Sequence, residues 1–167
     1  MSAGESTVNA LRAALKVSPD NVPLRTHLAA TLYDLGRYGE AEAEYRHALN
    51  LAPADRELRV GLAGAYYQQG KNSHALVIVE ELIKAPDAPA ATFVLYARLL
   101  LAAGDERQAA SMYRRALGIN AAAADAELAE RLGIEVESES SRFEDQLVDE
   151  QGRLRPRGDP AFPTDAS

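Results

Sequence analysis

The chain has no cysteine, which excludes disulfides, thiolate metal ligands and a cysteine nucleophile together. No stretch approaches the roughly 18 consecutive apolar residues of a membrane-spanning helix, so no membrane partner is expected. The opening Met-Ser-Ala-Gly-Glu lacks a basic stretch followed by an apolar one, so no secretory leader is expected, and a cytoplasmic location is. A coherent basic face is missing too. Residues 134–167 carry nine acidic and four basic side chains, so most of the net charge of −7 lies in this tail. The remaining body is close to neutral, with Arg and Lys interspersed among Asp and Glu. Displacing counterions from phosphates takes a continuous positive surface, so no nucleic-acid partner is expected.

What is present is a chain of 167 residues, 47% apolar and 26% charged. That composition suits one globular domain of about 130 residues plus a tail. Gly36, Gly70 and Gly104 stand 34 residues apart, and Ala41, Ala75 and Ala109 follow them at the same period. A fixed period of this length means one supersecondary unit copied along the chain. Ala29, Ala63 and Ala97 precede the glycines, after Leu28, Leu62 and Tyr96; Tyr45, Val79 and Tyr113 follow them, then Ala48, Leu82 and Ala116. Leu28, Leu32 and Leu35 fall at helical spacing before the first glycine, as do Ala41, Tyr45, Ala48 and Leu49 after it. Each block therefore predicts two amphipathic helices joined by a turn at the glycine, where φ > 0 is easy only without a side chain.

These residues resemble the tetratricopeptide repeat (TPR) family: Leu28-Ala29, Tyr45 and Pro53 in the first block, Leu62-Ala63, Tyr66 and Ala75 in the second, Phe93, Tyr96-Ala97, Ala109 and Tyr113 in the third. The resemblance implies an all-α fold, an α-solenoid coiled as a right-handed superhelix of antiparallel helix pairs. It sets a TPR domain over 1–133, with repeats at 22–55, 56–89 and 90–123, a leading half repeat at 5–19 and a capping helix at 124–132. The chain departs from the family pattern where Arg25 and Arg59 replace the opening aromatic, where Val79 and Leu82 replace an aromatic and an alanine, and where the closing proline moves to Pro86 or gives way to Ala121. Irregular helix packing is expected at Lys84 to Pro89, because Pro86 and Pro89 end one helix and admit the next.

Beyond Gly133 the helical periodicity stops, and residues 134–167 read as an acidic, largely disordered tail. Ser141 to Glu144 has capping-box spacing, and Phe143 and Leu147 follow four apart, so a short helix over 141–151 is left open, with docking on a groove as its sharper reading. The stretch from Gly133 to Arg155 resembles, in composition and position, the acidic connector that joins TPR helices to an AAA-type ATPase in some bacterial proteins.

Catalytic chemistry is not legible. Gly64 to Lys71 has five residues between its glycines and Asn72 after the lysine, against the four and the Ser or Thr of a phosphate-binding loop. His27, His47 and His74 lack His or Cys partners at ligand spacing, and Glu80 and Glu81 face different ways on a helix. No enzyme, cofactor or metal is expected. The resemblance instead implies that the first helix of each pair lines an inner wall. There it places Thr26, Ala30, Tyr33 and Asp34, then Val60, Gly64, Tyr67 and Gln68, then Val94, Arg98 and Leu101. Tyr33, Tyr67 and Arg98 are the expected anchors for a protein or peptide partner. A TPR subclass that clamps terminal carboxylates uses Lys, Asn and Arg on this wall, whereas Thr26, Ala30, Gly61, Ala91 and Leu95 stand at those places here. The reading is a non-catalytic interaction scaffold or adaptor that takes a peptide or helix in its groove. The regulatory arm of an ATPase and self-assembly through the tail or the solenoid edges are its alternatives.

Overall fold

The computed structural model describes residues 3–135. The expected helix at 141–151 and nearly all of the acidic tail and of the ATPase-like connector lie outside these residues; of the tail, Ile134 packs against the cluster of Ala97, Tyr113 and Leu128. Among them there are eight α-helices and no strand. The helices are α1 (Ala3–Val17), α2 (Val22–Asp34), α3 (Tyr38–Leu51), α4 (Arg56–Gln68), α5 (Asn72–Leu82), α6 (Ala90–Ala102), α7 (Glu106–Ile119) and α8 (Ala126–Leu132), with a 3₁₀ turn at Ala121–Ala123 before α8. Each helix packs on its neighbour in sequence, and α2 also meets α4, and α4 meets α6. Hairpins α2–α3, α4–α5 and α6–α7 therefore stack as a solenoid whose first helices form one layer.

The turns follow from the glycines. Gly36, Gly70 and Gly104 take φ of 74°, 72° and 85°, and the residue after each donates its N–H back to Leu32, Tyr66 or Leu100. That closes the helix end by the left-handed motif expected of glycine. Inside each hairpin the small residues let the backbones approach: Ala29, Ala41, Ala63, Ala75, Ala97 and Ala109 are all fully buried. Tyr45 and Tyr113 fill the space beside them, Tyr113 with no exposed surface.

Linkers between repeats show what proline does. The short linker at 52–55 ends in Asp55, whose carboxylate caps α4 by accepting from Leu58 N at 3.2 Å. The next linker runs from 83 to 89, and α5 shortens to 11 residues against 14 in α3 and α7. Pro89 stands at the cap position without a side-chain bond. The period of 34 still holds, because the linker gains what the helix loses. A true slip follows α7. The caps Asn21, Asp55 and Pro89 keep the period, but the last cap is Asp125, which accepts from Leu128 N at 3.0 Å. The 3₁₀ turn takes up the two extra residues, so α8 begins later than the expected 124. At the other end α1 begins at Ala3, ahead of the expected Glu5.

The opening positions of the repeats hold the largest departure from the family pattern. Arg25 is buried; its guanidinium donates to Glu44 Oε2 at 2.6 Å and to the Pro19 carbonyl at 2.7 Å. Arg59 repeats the arrangement with Glu81 and the Pro53 carbonyl, each at 3.1 Å. The methylene stems fill the place of an aromatic ring while the charged ends tie each repeat to the turn before it.

Candidate functional site

A groove of about 380 Å³ crosses the layer of first helices. It is lined by Tyr33 of α2, by Val60, Gly61, Gly64, Tyr67 and Gln68 of α4, and by Ala91, Val94, Leu95 and Arg98 of α6, with Tyr45 of α3, Ala123 and Asp125 completing it.

The wall is smooth because two helix-interior positions on α4 have no side chain. Gly61 faces Tyr45 so closely that a Cβ there would lie 2.5 Å from the ring. A Cβ on Gly64 would sit 3.5 Å from the Tyr33 ring. Each glycine weakens its helix by roughly 0.5–1 kcal/mol relative to Ala; at Gly61 the close approach of Tyr45 requires it, whereas at Gly64 a methyl group would only touch the Tyr33 ring. Tyr33 is steadied by an edge-to-face contact with Tyr38, centroids 5.3 Å apart. Its hydroxyl accepts from Gln68 Nε2 at 3.1 Å. Tyr45 Oη has no hydrogen-bond partner among the described residues. Burial, then the charge of Asp34, then Tyr33 push its pKa up to about 12, so it stays a protonated donor.

One end of the groove is closed by an ion pair between Arg98 and Asp125. Asp125 also caps α8, and its backbone N–H and carbonyl both bond the Tyr113 hydroxyl, at 2.8 and 3.0 Å. Burial opposes the charge on Arg98, but the pairing with Asp125 outweighs it and its pKa is raised; the Tyr67 hydroxyl beside the guanidinium adds to this. Burial likewise opposes ionisation of Asp125. The Leu128 N–H and then Arg98 overcome it and hold the carboxyl below its ordinary range.

Of the expected wall residues, the structure brings together Tyr33, Val60, Gly64, Tyr67, Gln68, Val94 and Arg98. Ala30 and three others lie elsewhere. Leu101 packs against the cluster of Ala97, Tyr113 and Leu128 beneath α8. Thr26 spends its hydroxyl on the Val22 carbonyl at 2.9 Å. Asp34 is exposed at the end of α2 and reaches the site only through its field on Tyr45. Tyr45 is the lining residue that periodicity hides, because its place in the repeat belongs to the core. The signal that points to it is Gly61, a glycine inside an otherwise regular helix, against which the Tyr45 ring lies.

The stretch from Gly64 to Gln68 is helical, as the spacing argument requires. His27, His47 and His74 are exposed on α2, α3 and α5, with His74 beside the Tyr66 ring at 5.2 Å. Among the described residues no group of three or more acidic or histidine side chains is placed to hold a metal ion. No helix among them is long and apolar enough to cross a membrane.

Comparison with solved structures shows the same fold. A tetratricopeptide repeat protein from Parabacteroides merdae ATCC 43184 superposes with a TM-score of 0.64 at 24% identity, over 75% of this chain and 48% of that one. The chain thus spans about half the length of that protein. Two crystal structures of MamA superpose with TM-scores of 0.58 and 0.60 at 19% and 18% identity, covering 70% and 80% of this chain and 65% and 86% of theirs. No curated protein matches the chain. The family profile described as tetratricopeptide repeat matches residues 1–122, and with this extent of match the chain belongs to the tetratricopeptide repeat family.

Proposed function

We propose that this protein is an interaction scaffold whose groove across α2, α4 and α6 holds a segment of a partner polypeptide. Tetratricopeptide repeats generally mediate protein–protein contacts and are generally non-catalytic. The observation that carries the finer reading is the groove's lining, where tyrosines from successive repeats stand around an aliphatic floor of Val60, Val94 and Leu95. Rigid aromatic rings with a polar tip are the side chains most often found as interface anchors. A volume of about 380 Å³ falls in the range of small-molecule sites, so it suits a few anchoring side chains. In this reading the protein acts as an adaptor in the cytoplasm.

The ends of the stack favour the groove over edge-to-edge assembly. Ser6, Asn9, Arg12 and Lys16 are exposed on α1, beside the apolar Ala10, Ala13 and Val17, and Glu127, Glu130 and Arg131 on α8, so both terminal helices present mainly polar side chains outward as solenoid caps do.

The test is affinity capture with the full chain, followed by titration of the captured partner's segment against purified protein. Replacing Tyr33 and Tyr67 together with Ala should weaken that segment at least about tenfold, two anchors at above ~1 kcal/mol each. Equal affinity for the double variant would move the site off this groove.

A further inference from the structure

Resting on the groove reading, we infer that the segment it takes is an internal, extended and uncharged one, with an aliphatic side chain on the floor and neutral main-chain carbonyls accepting from Tyr45 and Tyr33. The groove's polar groups argue for it. Tyr45 Oη has no partner among the described residues, yet its ring lies against Gly61 and lines the groove. Tyr33 Oη accepts from Gln68 and donates to none of the described residues, so its proton is free as well. The Tyr67 hydroxyl, beside the Arg98 guanidinium, also donates to none of the described residues; such O–H donors beside an apolar floor call for acceptors from the ligand, because leaving donors unmet in a covered site is costly.

The charges decide which acceptor. Among the described residues Arg98 is the single cation lining the groove, and Asp125 already neutralises it. Asp34 adds negative potential at Tyr45. A carboxylate or phosphate brought there would lose hydration, meet no unpaired positive group and be repelled by Asp34. A helix is also a poor match, since its carbonyls are spent internally except in the last turn. An extended main chain keeps its carbonyls free. The floor of Val60, Val94 and Leu95, beside the Tyr33 and Tyr45 rings, is where an aliphatic side chain between two such carbonyls would sit.

The probes are N-acetyl-Ala-Leu-Ala methylamide, which stands for an internal segment and is too short to be helical, and the same tripeptide ending in a free carboxylate. Binding to the full chain at neutral pH is read from the backbone amide signals of Gly61 and Gly64, with Gly36, Gly70 and Gly104 at the turns as internal controls. The methylamide should shift Gly61 and Gly64 saturably at millimolar concentration, and the acid should bind at least about fivefold more weakly. Tyr45→Phe keeps the ring and removes a hydroxyl that bonds nothing else, so the fold should persist while methylamide affinity falls about two- to tenfold. An acid that binds as well as the methylamide, or an unchanged affinity in Tyr45→Phe, overturns this inference and leaves the groove reading standing. If neither probe moves Gly61 and Gly64, the groove reading falls and this inference with it.

Discussion

Arg25 and Phe93 occupy the same place in the repeat, two periods apart, and meet the same packing demand in opposite ways. Phe93 is almost wholly buried between Ala88 and Ala116, with the Arg115 guanidinium over its ring at 4.4 Å. Arg25 covers the equivalent surface with its methylene stem and then has to settle a charge. Glu44 and the Pro19 carbonyl take two of its donors, but Nε is buried without a partner. Arg59 is the intermediate case, with the same two kinds of acceptor at longer distances and a more exposed pair. The slot is thus defined by shape, and any long side chain that fills it will serve. The chemical difference lies in what happens at its outer end. The apolar solution gains burial at no electrostatic cost, whereas the ionic one cancels most of its own desolvation and ties the repeat to the preceding turn.

The most forceful way to break this comparison is Phe93→Ala. It removes a buried ring from the joint where the linker is longest, and should cost about 3–5 kcal/mol. Chemical denaturation followed by circular dichroism measures it. A loss under about 1 kcal/mol would mean that the third slot collapses around the gap and that shape is not what defines it.

Next is the polar knot at the far end of the stack. Asp125→Ala removes the cap of α8 and the partner of Arg98, for an expected cost of about 2 kcal/mol. Acid should act in the same direction. Asp125 has a folded pKa held below its unfolded value. Its contribution to stability is therefore complete above the unfolded pKa of about 3.9 and is lost as pH falls through the folded value. Amide protection factors of Leu128 to Leu132 should fall over that acid range before those of Phe93 to Ala97, which lie in the apolar slot. Asp125→Asn, which still caps, should remove this acid dependence. Simultaneous loss in both regions would show that the ionic end is not a separable unit.

Third, Arg25→Met keeps an unbranched stem and discards the charge. Stability should fall by about 1–2 kcal/mol, since the stem still fills the slot but the half-buried Glu44 and the Pro19 carbonyl lose their donor. A cost as large as that of Phe93→Ala would make the ionic slot the stronger of the two.

These cases also mark where the sequence is readable. Contacts set by local geometry are visible in it: a glycine every 34 residues predicts the turn, and an alanine at a fixed offset predicts where two helices touch. Arg25 was visible only as a departure from the expected aromatic, because its meaning depends on Glu44 and on a carbonyl of the previous linker. Tyr33, Tyr67, Gln68, Val94 and Arg98 follow from the frame because they are on first helices. Leu101 does not, since it packs into the cluster formed by α6, α7 and α8 and not into the groove. Tyr45 escapes for a related reason. Its register is that of a core residue, and only the missing side chain on a different helix, at Gly61, lets its ring reach the groove.

The finest test of the comparison is at the surface of the first hairpin, where Arg12 meets Glu40 at 2.6 Å with both side chains more than two-fifths exposed. Here an arginine makes a short ionic contact but fills no slot. Glu40 already receives two bonds from Arg37, at 2.7 and 2.8 Å, and Arg37 is the first cause of its lowered pKa, ahead of Arg12. Deleting Arg12 therefore leaves the carboxylate paired, and the freed rotamers offset what Coulomb energy is lost. Arg12→Ala should change stability by no more than about 0.5 kcal/mol, and the difference should vanish in high salt, where exposed charges are screened. If it instead approached the effect of removing Arg25 altogether, the ionic contact itself would be the stabilising element, and the filling of the slot by the arginine stem would be incidental.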